Sequence, residues 1–421
     1  MFEIQNGFSQ SRGLKLYWDT LRQLGRKIKI FAAKGPVYHY TYGYWRLRRR
    51  LKLKWVETAG LDEQALLTQF NLEIAELHQI KQALSEGNVD QAKAEVLGHF
   101  QTRNSPRFFF EPEQIKQITA LVTEAQKKAT LHAADQICQN IFCFRRTSPV
   151  HFEQGIDWSH RPAGNIDWMW DLNRHAYFET LGRAYHYTGD ERYAQKIRQL
   201  WLHWLANNPG RVGQPNWASA FEVGFRINTW IWTFYYLRLT TAFDADTCLA
   251  VLKGLLTHGH YLEANLELHV QNNHLLLEAK ALAMLGLLFP EFKAAEKWRQ
   301  RGLKVLYQQI RAQVCPDGVH GERATHYHRV IAGELLELLV LLENNGSPIP
   351  PDINEILGKM VEFEIWVTKP DGLIPLLSDS ALEDTYLRFS AARGGPTFLD
   401  RSELKAVAPA LDEASIWLLG S

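Results

Sequence analysis

Asn272, Asn273 and His274 stand side by side at the head of an otherwise apolar run, VQNNHLLLEAKALAMLGLLFPEF, residues 270–292. An Asn ahead of such a run commonly caps a helix, because its side-chain oxygen accepts from one of the first free backbone N–H groups. A cap accounts for one amide and leaves the second amide and the imidazole unexplained. Three other stretches mix polar and aromatic residues in the same way. NIDWMWDLNRH, residues 165–175, brings together Asp167, Trp168, Trp170, Asn173, Arg174 and His175. NWASAFEVGFRINTW, 216–230, adds Trp217, Glu222, Arg226 and Asn228. HGERATHYHR, 320–329, adds His320, Glu322, His326, Tyr327 and His328. A phenol flanked by two imidazoles, Tyr327, is a candidate proton donor. Glu222 and Arg226 lie one helical turn apart and suit either a plain helix ion pair or a polar site. The pattern H-x-E-x3-H-x-H fits no metal-ligand spacing, so neither a metal nor another cofactor is expected.

The elements that must position these residues read as helices almost throughout after residue 60. In ERYAQKIRQLWLHWL, Tyr193, Ile197, Leu200, Trp201 and Trp204 fall on one helical face. Leu303, Leu306, Tyr307, Ile310 and Val314 do the same in KWRQRGLKVLYQQIRAQV. IAGELLELLVLLENNGSP carries a wider stripe and stops at Asn345-Gly346, with Pro348 beyond. Links such as Thr188-Gly189-Asp190 and Leu288-Phe289-Pro290-Glu291 are short. Sequential helices joined so tightly become antiparallel neighbours, which predicts stacked helical hairpins. Periodicity alone leaves open whether the hairpins form a solenoid or close into an α/α toroid. Strand signals are weak, GLIPLLSDS reads as irregular, and the chain past residue 371 reads as loop-rich. Each polar stretch lies where a helix begins, so stacked hairpins would gather the four at one rim.

The chain has 421 residues, 46% of them hydrophobic and 22% charged, a globular composition. Its 14 Trp suit a sugar-binding cleft or simply a large aromatic core. No apolar run is long enough to span a membrane. The opening MFEIQNGFSQSRG shows no signal-peptide pattern, and the localisation is left open between the cytoplasm and the cell envelope of a bacterium. Cys138, Cys143, Cys248 and Cys315 are scattered without metal-ligand or disulfide-framework spacing. The net charge of +1 conceals an asymmetry: residues 12–54 hold thirteen Lys and Arg against one acid, Asp19. This basic arm, peaking in WRLRRRLKLKW, suits peripheral contact with a membrane surface or an anionic polysaccharide. No nucleic-acid-binding module is recognisable, so nucleic acid is not an expected partner.

WDLNRH, YHYTGDERYAQ, NNHLLLEAKALAMLGLLFPEFKAAEKWRQRG, QVCPDGVHGERATHYH and PLLSDS, in that order from Asp167 to Ser380, resemble the heparinase II/III-like polysaccharide lyases, most closely the helical domain of heparinase III. The resemblance implies an all-α, incomplete α/α toroid of stacked hairpins, which the family follows with an antiparallel β-sandwich. It implies β-elimination on an anionic, uronate-containing polysaccharide. Asn273 would hydrogen-bond the uronate carboxylate, with His274 or Arg226 assisting, and stabilise the dianion formed when C5–H breaks. Tyr327 would protonate the departing O4, or also take the C5 proton. Trp170, Asn173, Arg174 and Trp217 would contact sugar, and Glu222 and His328 complete the expected binding set. The first 60 residues resemble relatives found with surface-polysaccharide biosynthesis, which widens the substrate from glycosaminoglycan-like polymers to bacterial surface polysaccharide.

The expected organisation is a basic arm over 1–60, a toroid over 61–380, and a linker over 381–421 leading toward a sandwich absent from this chain. In the family that sandwich supplies a further His base. Two other readings stay open on sequence: a non-catalytic polysaccharide-binding or processing protein of envelope assembly, and a toroid glycoside hydrolase. The hydrolase would need paired carboxylates, for which Asp167, Asp171 and Asp379 are available.

Overall fold

The computed structural model describes Gly43 and residues 60–210, 214–380 and 388–420. Apart from Gly43 and Gly60, the expected basic arm lies outside the described residues, and its membrane contact with it. The chain divides into two compact units, residues 1–53 with 268–270, and residues 54–267 with 271–421. Everything below concerns the second.

Helices α1 (Glu63–Leu67), α2 (His78–Ser85), α3 (Val89–Thr102), α4 (Ile115–Leu121) and α5 (Glu124–Cys138) come first. A short antiparallel pair follows, β1 (Ile141–Phe142) with β2 (Val150–His151), in the register Ile141 opposite His151. Next come α6 (Ile166–Arg174), α7 (Tyr177–Thr188), α8 (Glu191–Asn207), α9 (Ala220–Leu237) and α10 (Ala245–Asn265). Then follow α11 (Asn273–Leu288), α12 (Ala295–Gln313), α13 (Thr325–Asn344) and α14 (Pro351–Val367), with α15 (Ala391–Phe398), α16 (Ser402–Lys405) and α17 (Glu413–Leu419) last.

Local chemistry sets these boundaries. Gly189 takes φ +70° at the end of α7, and the Asp190 side chain then accepts from Arg192 N to cap α8. His175 adopts φ +62° between α6 and α7, which breaks one rod into two. Its ring still accepts from Trp230 Nε1 at 2.9 Å.

Buried polar contacts give the register of the inner layer. Asn228 and Trp232 of α9 donate to Glu334 and Glu337 of α13. Lys280 of α11 pairs with both of those carboxylates. Each partner lies two to four turns from the start of its own helix, so α9, α11 and α13 run parallel, and their N-termini share one end. The His175–Trp230 contact extends that register to the α6–α7 rod. The outer helices α8, α10, α12 and α14 return antiparallel, giving the incomplete α/α toroid. Close approach between layers depends on glycine: a Cβ at Gly302 of α12 would lie 2.5 Å from Ala283 N of α11.

The tryptophan excess is mostly core. Trp168, Trp201, Trp204, Trp230, Trp232, Trp298 and Trp417 are fully buried. Trp204 meets Trp230 edge-to-face, with ring centroids 5.3 Å apart.

The stretch past residue 371 is largely irregular among its described residues, as read, and also carries three short helices, α15–α17. Of these, α17 docks firmly. Trp417 is buried, donates to Tyr187 Oη at 3.1 Å and meets Phe110 and Tyr236 edge-on. Glu413 accepts from Thr130 and Tyr187. The apolar spacing of IWLL is too brief to register as a helix in sequence, and tertiary contacts fix it.

Candidate active site

The first turn of α11 lies at the rim where the inner helices begin. Asn272 performs the ordinary capping task, its side chain accepting from His274 N at 3.1 Å. Asn273 does something different. Its backbone N and its side-chain Nδ2 both donate to one oxygen, Oε1 of Glu322, each at 2.8 Å. Asn273 is 6% exposed.

Glu322 belongs to the turn that joins α12 to α13. Gly321 N donates to Gln313 O at 2.6 Å, and Arg323 takes φ +55°, a left-handed conformation unusual for a side chain other than glycine. Two buried histidines pin this turn. His320 faces Gln313 Oε1 at 3.1 Å through Nε2, and its backbone N donates to His328 Nδ1 at 3.3 Å. His328 faces Met360 O of α14 at 3.0 Å through its other nitrogen. Burial lowers the His328 pKa to about 4, so its ring is neutral near pH 7. His328, expected to touch substrate, therefore holds the turn instead. Among the described residues no group of His, Cys, Asp and Glu has the geometry of a metal site.

Tyr327 is the third residue of α13, half-buried, its ring edge-on to His326 with centroids 5.5 Å apart. Thr325 Oγ1 donates to Pro375 O at 2.5 Å, which lays the PLLSDS segment against the start of α13. On the α11 side, His274 keeps 37% of its side chain exposed. Its ring stacks on Phe221 at 4.2 Å, and Nδ1 lies 3.3 Å from Glu267 Oε2. Glu267 N donates in turn to Glu278, whose carboxyl burial pushes well above the usual range.

Just beneath, the other expected binding residues are spent on one another. Arg174 makes a bidentate pair with Glu222, at 2.8 and 2.7 Å, and a third bond to Asp171. Asp171 also accepts from Arg145. Burial raises the Asp171 carboxyl, and the two arginines oppose that. The Glu222–Arg226 ion pair permitted by spacing does not form, because Arg174 already fills the fork of Glu222. Arg226 is fully buried between the faces of Trp204 and Trp217, and donates to His258 Nε2 at 3.0 Å and to Asn216 O at 2.6 Å. Desolvation pulls its pKa down to about 9. Asn173 donates to Trp158 O and Met169 O and accepts from Trp204 Nε1. Trp217 is buried and donates to Asn208 O at 3.3 Å.

Six of the expected substrate contacts, Asn173, Arg174, Trp217, Glu222, Arg226 and His328, are thus buried beneath the rim with their hydrogen bonds running to protein. Hydrogen bonds to protein offset most of the cost of desolvating these groups, while Arg226 Nη1 stays buried without a hydrogen-bond partner among the described residues. Asn273, His274, Tyr327 and the half-buried Trp170 remain at or near the rim. Sequence reasoning missed Glu322 as the partner of Asn273, and Phe221 and Glu267 as the support of His274. The HGERATHYHR stretch did point to Glu322, but only as one of a set of metal-like residues. Trp366, near the end of α14, is 67% exposed and was also missed.

The N-termini of α9, α11 and α13 point the positive ends of their dipoles at this rim, which favours an anion. The opposite rim contains a cleft of about 980 Å³ lined by His99, Arg103 and Glu291. It sits at the C-terminal ends of the same helices, where the dipole disfavours an anion, and Arg103 is committed to Glu291, Tyr235 and Leu288 O.

The fold is an all-α, incomplete toroid with its inner helices opening on this rim. Residues 66–405 match the family described as Heparinase II/III N-terminus, and the chain belongs to that family. It is 29% identical over 328 residues to a heparin-sulfate lyase of Bacteroides thetaiotaomicron, covering 74% of this chain and 46% of that protein. It is 27% identical to a heparin-sulfate lyase of Pedobacter heparinus, covering 76% and 49%. The chain therefore spans about half the length of the curated relatives it matches. Among solved structures, that of heparinase III superposes with a TM-score of 0.69 at 24% identity, over 84% of this chain and 56% of that one. A heparan sulfate lyase from Pedobacter heparinus gives 0.59 at 24%, over 77% and 51%.

Proposed function

We propose that this chain carries the helical part of a polysaccharide lyase that cleaves uronate-containing polysaccharide by β-elimination. The carrying observation is the arrangement of Asn273 and Tyr327, each in the first turn of neighbouring parallel helices and linked through the Glu322 turn. The relatives named heparin-sulfate lyases support the same reading. In the reaction the C5–H bond breaks, its electrons form the C4–C5 double bond, and the C4–O4 bond breaks. A hydrogen α to a carboxylate is too weakly acidic to leave unaided. The Nδ2–H of Asn273 not used by Glu322 donates to the substrate carboxylate, and the helix N-termini stabilise the added negative charge. Tyr327 acts as both base and acid: it takes the C5 proton and delivers a proton to the departing O4, so the phenol is restored at the end of the step. His274 lies beside Asn273 and orients the same sugar. Trp170 and the exposed face of Trp366 suit pyranose rings.

The substrate class is a glycosaminoglycan-like or bacterial surface polysaccharide. The test is ultraviolet absorbance from the new double bond, on a panel of heparan sulfate, hyaluronan, chondroitin, alginate and a bacterial capsule, with Tyr327→Phe as control. Absorbance that requires Tyr327 supports elimination and names the polymer. Binding without absorbance in both proteins would replace the lyase by a binding protein. New reducing ends without the double bond would replace it by a hydrolase.

A further inference from the structure

We propose that Glu322 is a positioning residue that fixes the carboxamide of Asn273 for its work on the substrate carboxylate. This rests on the lyase reading and deepens it. A side-chain amide at a helix start can turn its oxygen or its nitrogen toward the cleft, and only the nitrogen donates. An ionised carboxylate accepts and never donates, so Glu322 admits only one of the two orientations. Oε1 takes the backbone N–H and the Nδ2–H of the same residue, each at 2.8 Å. Two bonds to one atom restrain both torsions of a short side chain. They leave the second Nδ2 hydrogen and Oδ1 to face elsewhere.

Glu322 is itself well placed to act as a fixed point. The left-handed Arg323 follows it, the Gly321–Gln313 bond precedes it, and the buried His320 and His328 hold the turn against α12 and α14. Tyr327 stands five residues further on, in the first turn of α13. The turn that orients the carboxylate donor thus also launches the helix of the proton donor, and Glu322 sets the two in a common frame. Misplacing a reacting group by about 1 Å can cost on the order of 100-fold in rate.

A plain helix-capping role for Glu322 would appear as stability alone. The experiment is a double-mutant cycle on the full-length protein, using Glu322→Ala, Asn273→Ala and the pair, with Glu322→Gln as the conservative variant. Each is measured for kcat, KM and Tm. Glu322→Ala is expected to lower kcat about 10- to 100-fold with KM within about threefold. The pair should fall no further than Asn273→Ala alone. Glu322→Gln, which keeps an acceptor oxygen, should recover about tenfold of the loss. Full additivity in the cycle, or a Glu322→Ala protein within about twofold of wild type, overturns the proposal. If wild type forms no double bond on any polymer, the lyase reading fails first, and the cycle is read in Kd for a uronate oligosaccharide. Additive losses in Kd, or no binding by wild type, overturn the proposal there as well.

Discussion

The rim at Asn273 and Tyr327 and the layer one turn below it use the same residue types with opposite outcomes. At the rim, His274 keeps over a third of its side chain exposed and Asn273 retains one N–H beyond its bonds to Glu322. In the layer beneath, Arg174 closes on Glu222 and Asp171, while Arg226 is sealed by Trp204, Trp217 and His258. The difference teaches that a polar cluster in sequence is two things in space. One part stays partly open at the rim, and the other pairs its charges in a dry environment beneath it. Further in, Lys280 between Glu334 and Glu337 continues the supporting part to mid-barrel. Coulombic attraction to Lys280 and Arg388 holds Glu337 ionised against the cost of its burial.

The comparison is broken most sharply at Tyr327. Tyr327→Phe should lower kcat by about 10²–10⁴-fold while leaving Tm close to wild type. A rim residue should behave that way, and an equal loss of Tm would place Tyr327 in the supporting layer. Arg174→Met should do the reverse. It strands the buried Glu222, while Asp171 keeps Arg145, and should cost about 3–5 kcal/mol in denaturant-measured stability. Arg174→Met with Glu222→Met should regain most of that, since the unpaired carboxylate is gone; failure to regain it would mean the pair contributes more than mutual neutralisation.

The supporting layer should also be acid-labile. Burial lowers the folded-state pKa of His328 from 6.5 to about 4. The unfolded chain binds that proton near pH 6.5 and the folded chain only near 4. The contribution of this group is therefore full above pH 6.5 and is lost as pH falls toward 4, about 3 kcal/mol in all. His328→Gln should flatten that part of the stability profile, and an unchanged slope would remove His328 as its source. The smallest effect is expected at His274. His274→Ala should lower kcat/KM about tenfold, the scale of one hydrogen bond to a charged group. Its stability should stay within about 0.5 kcal/mol of wild type, as for other exposed positions.

Much of the fold was legible in sequence because helical signals are local. The Thr188-Gly189-Asp190 link, the Asn345-Gly346 stop and the stripe of Tyr193, Ile197, Leu200, Trp201 and Trp204 all appear where periodicity and capping put them. Helix α17 was not legible, since seven residues carry too little periodicity and Trp417 is held by partners in α7 and α9. The gathering of four polar stretches at one rim followed from short links between antiparallel helices. Which member of each stretch would face outward did not follow. Residues one turn apart differ by where neighbouring helices approach, and Gly224, Phe221 and Leu277 decide that between α9 and α11.

By itself the sequence determined the helices, their alternation in direction, the family, and Asn273 and Tyr327 as the residues to watch. Capping, periodicity and motif order are all properties of neighbours along the chain. Only the tertiary structure decided that Arg174 would choose Glu222, that Arg226 would lie among tryptophans, and that Glu322 would hold Asn273. Arg174–Glu222, Arg226–Trp204 and Glu322–Asn273 join residues 48, 22 and 49 positions apart. A charge buried at such a distance takes the partner that packing delivers to it, and no local pattern encodes which one that will be.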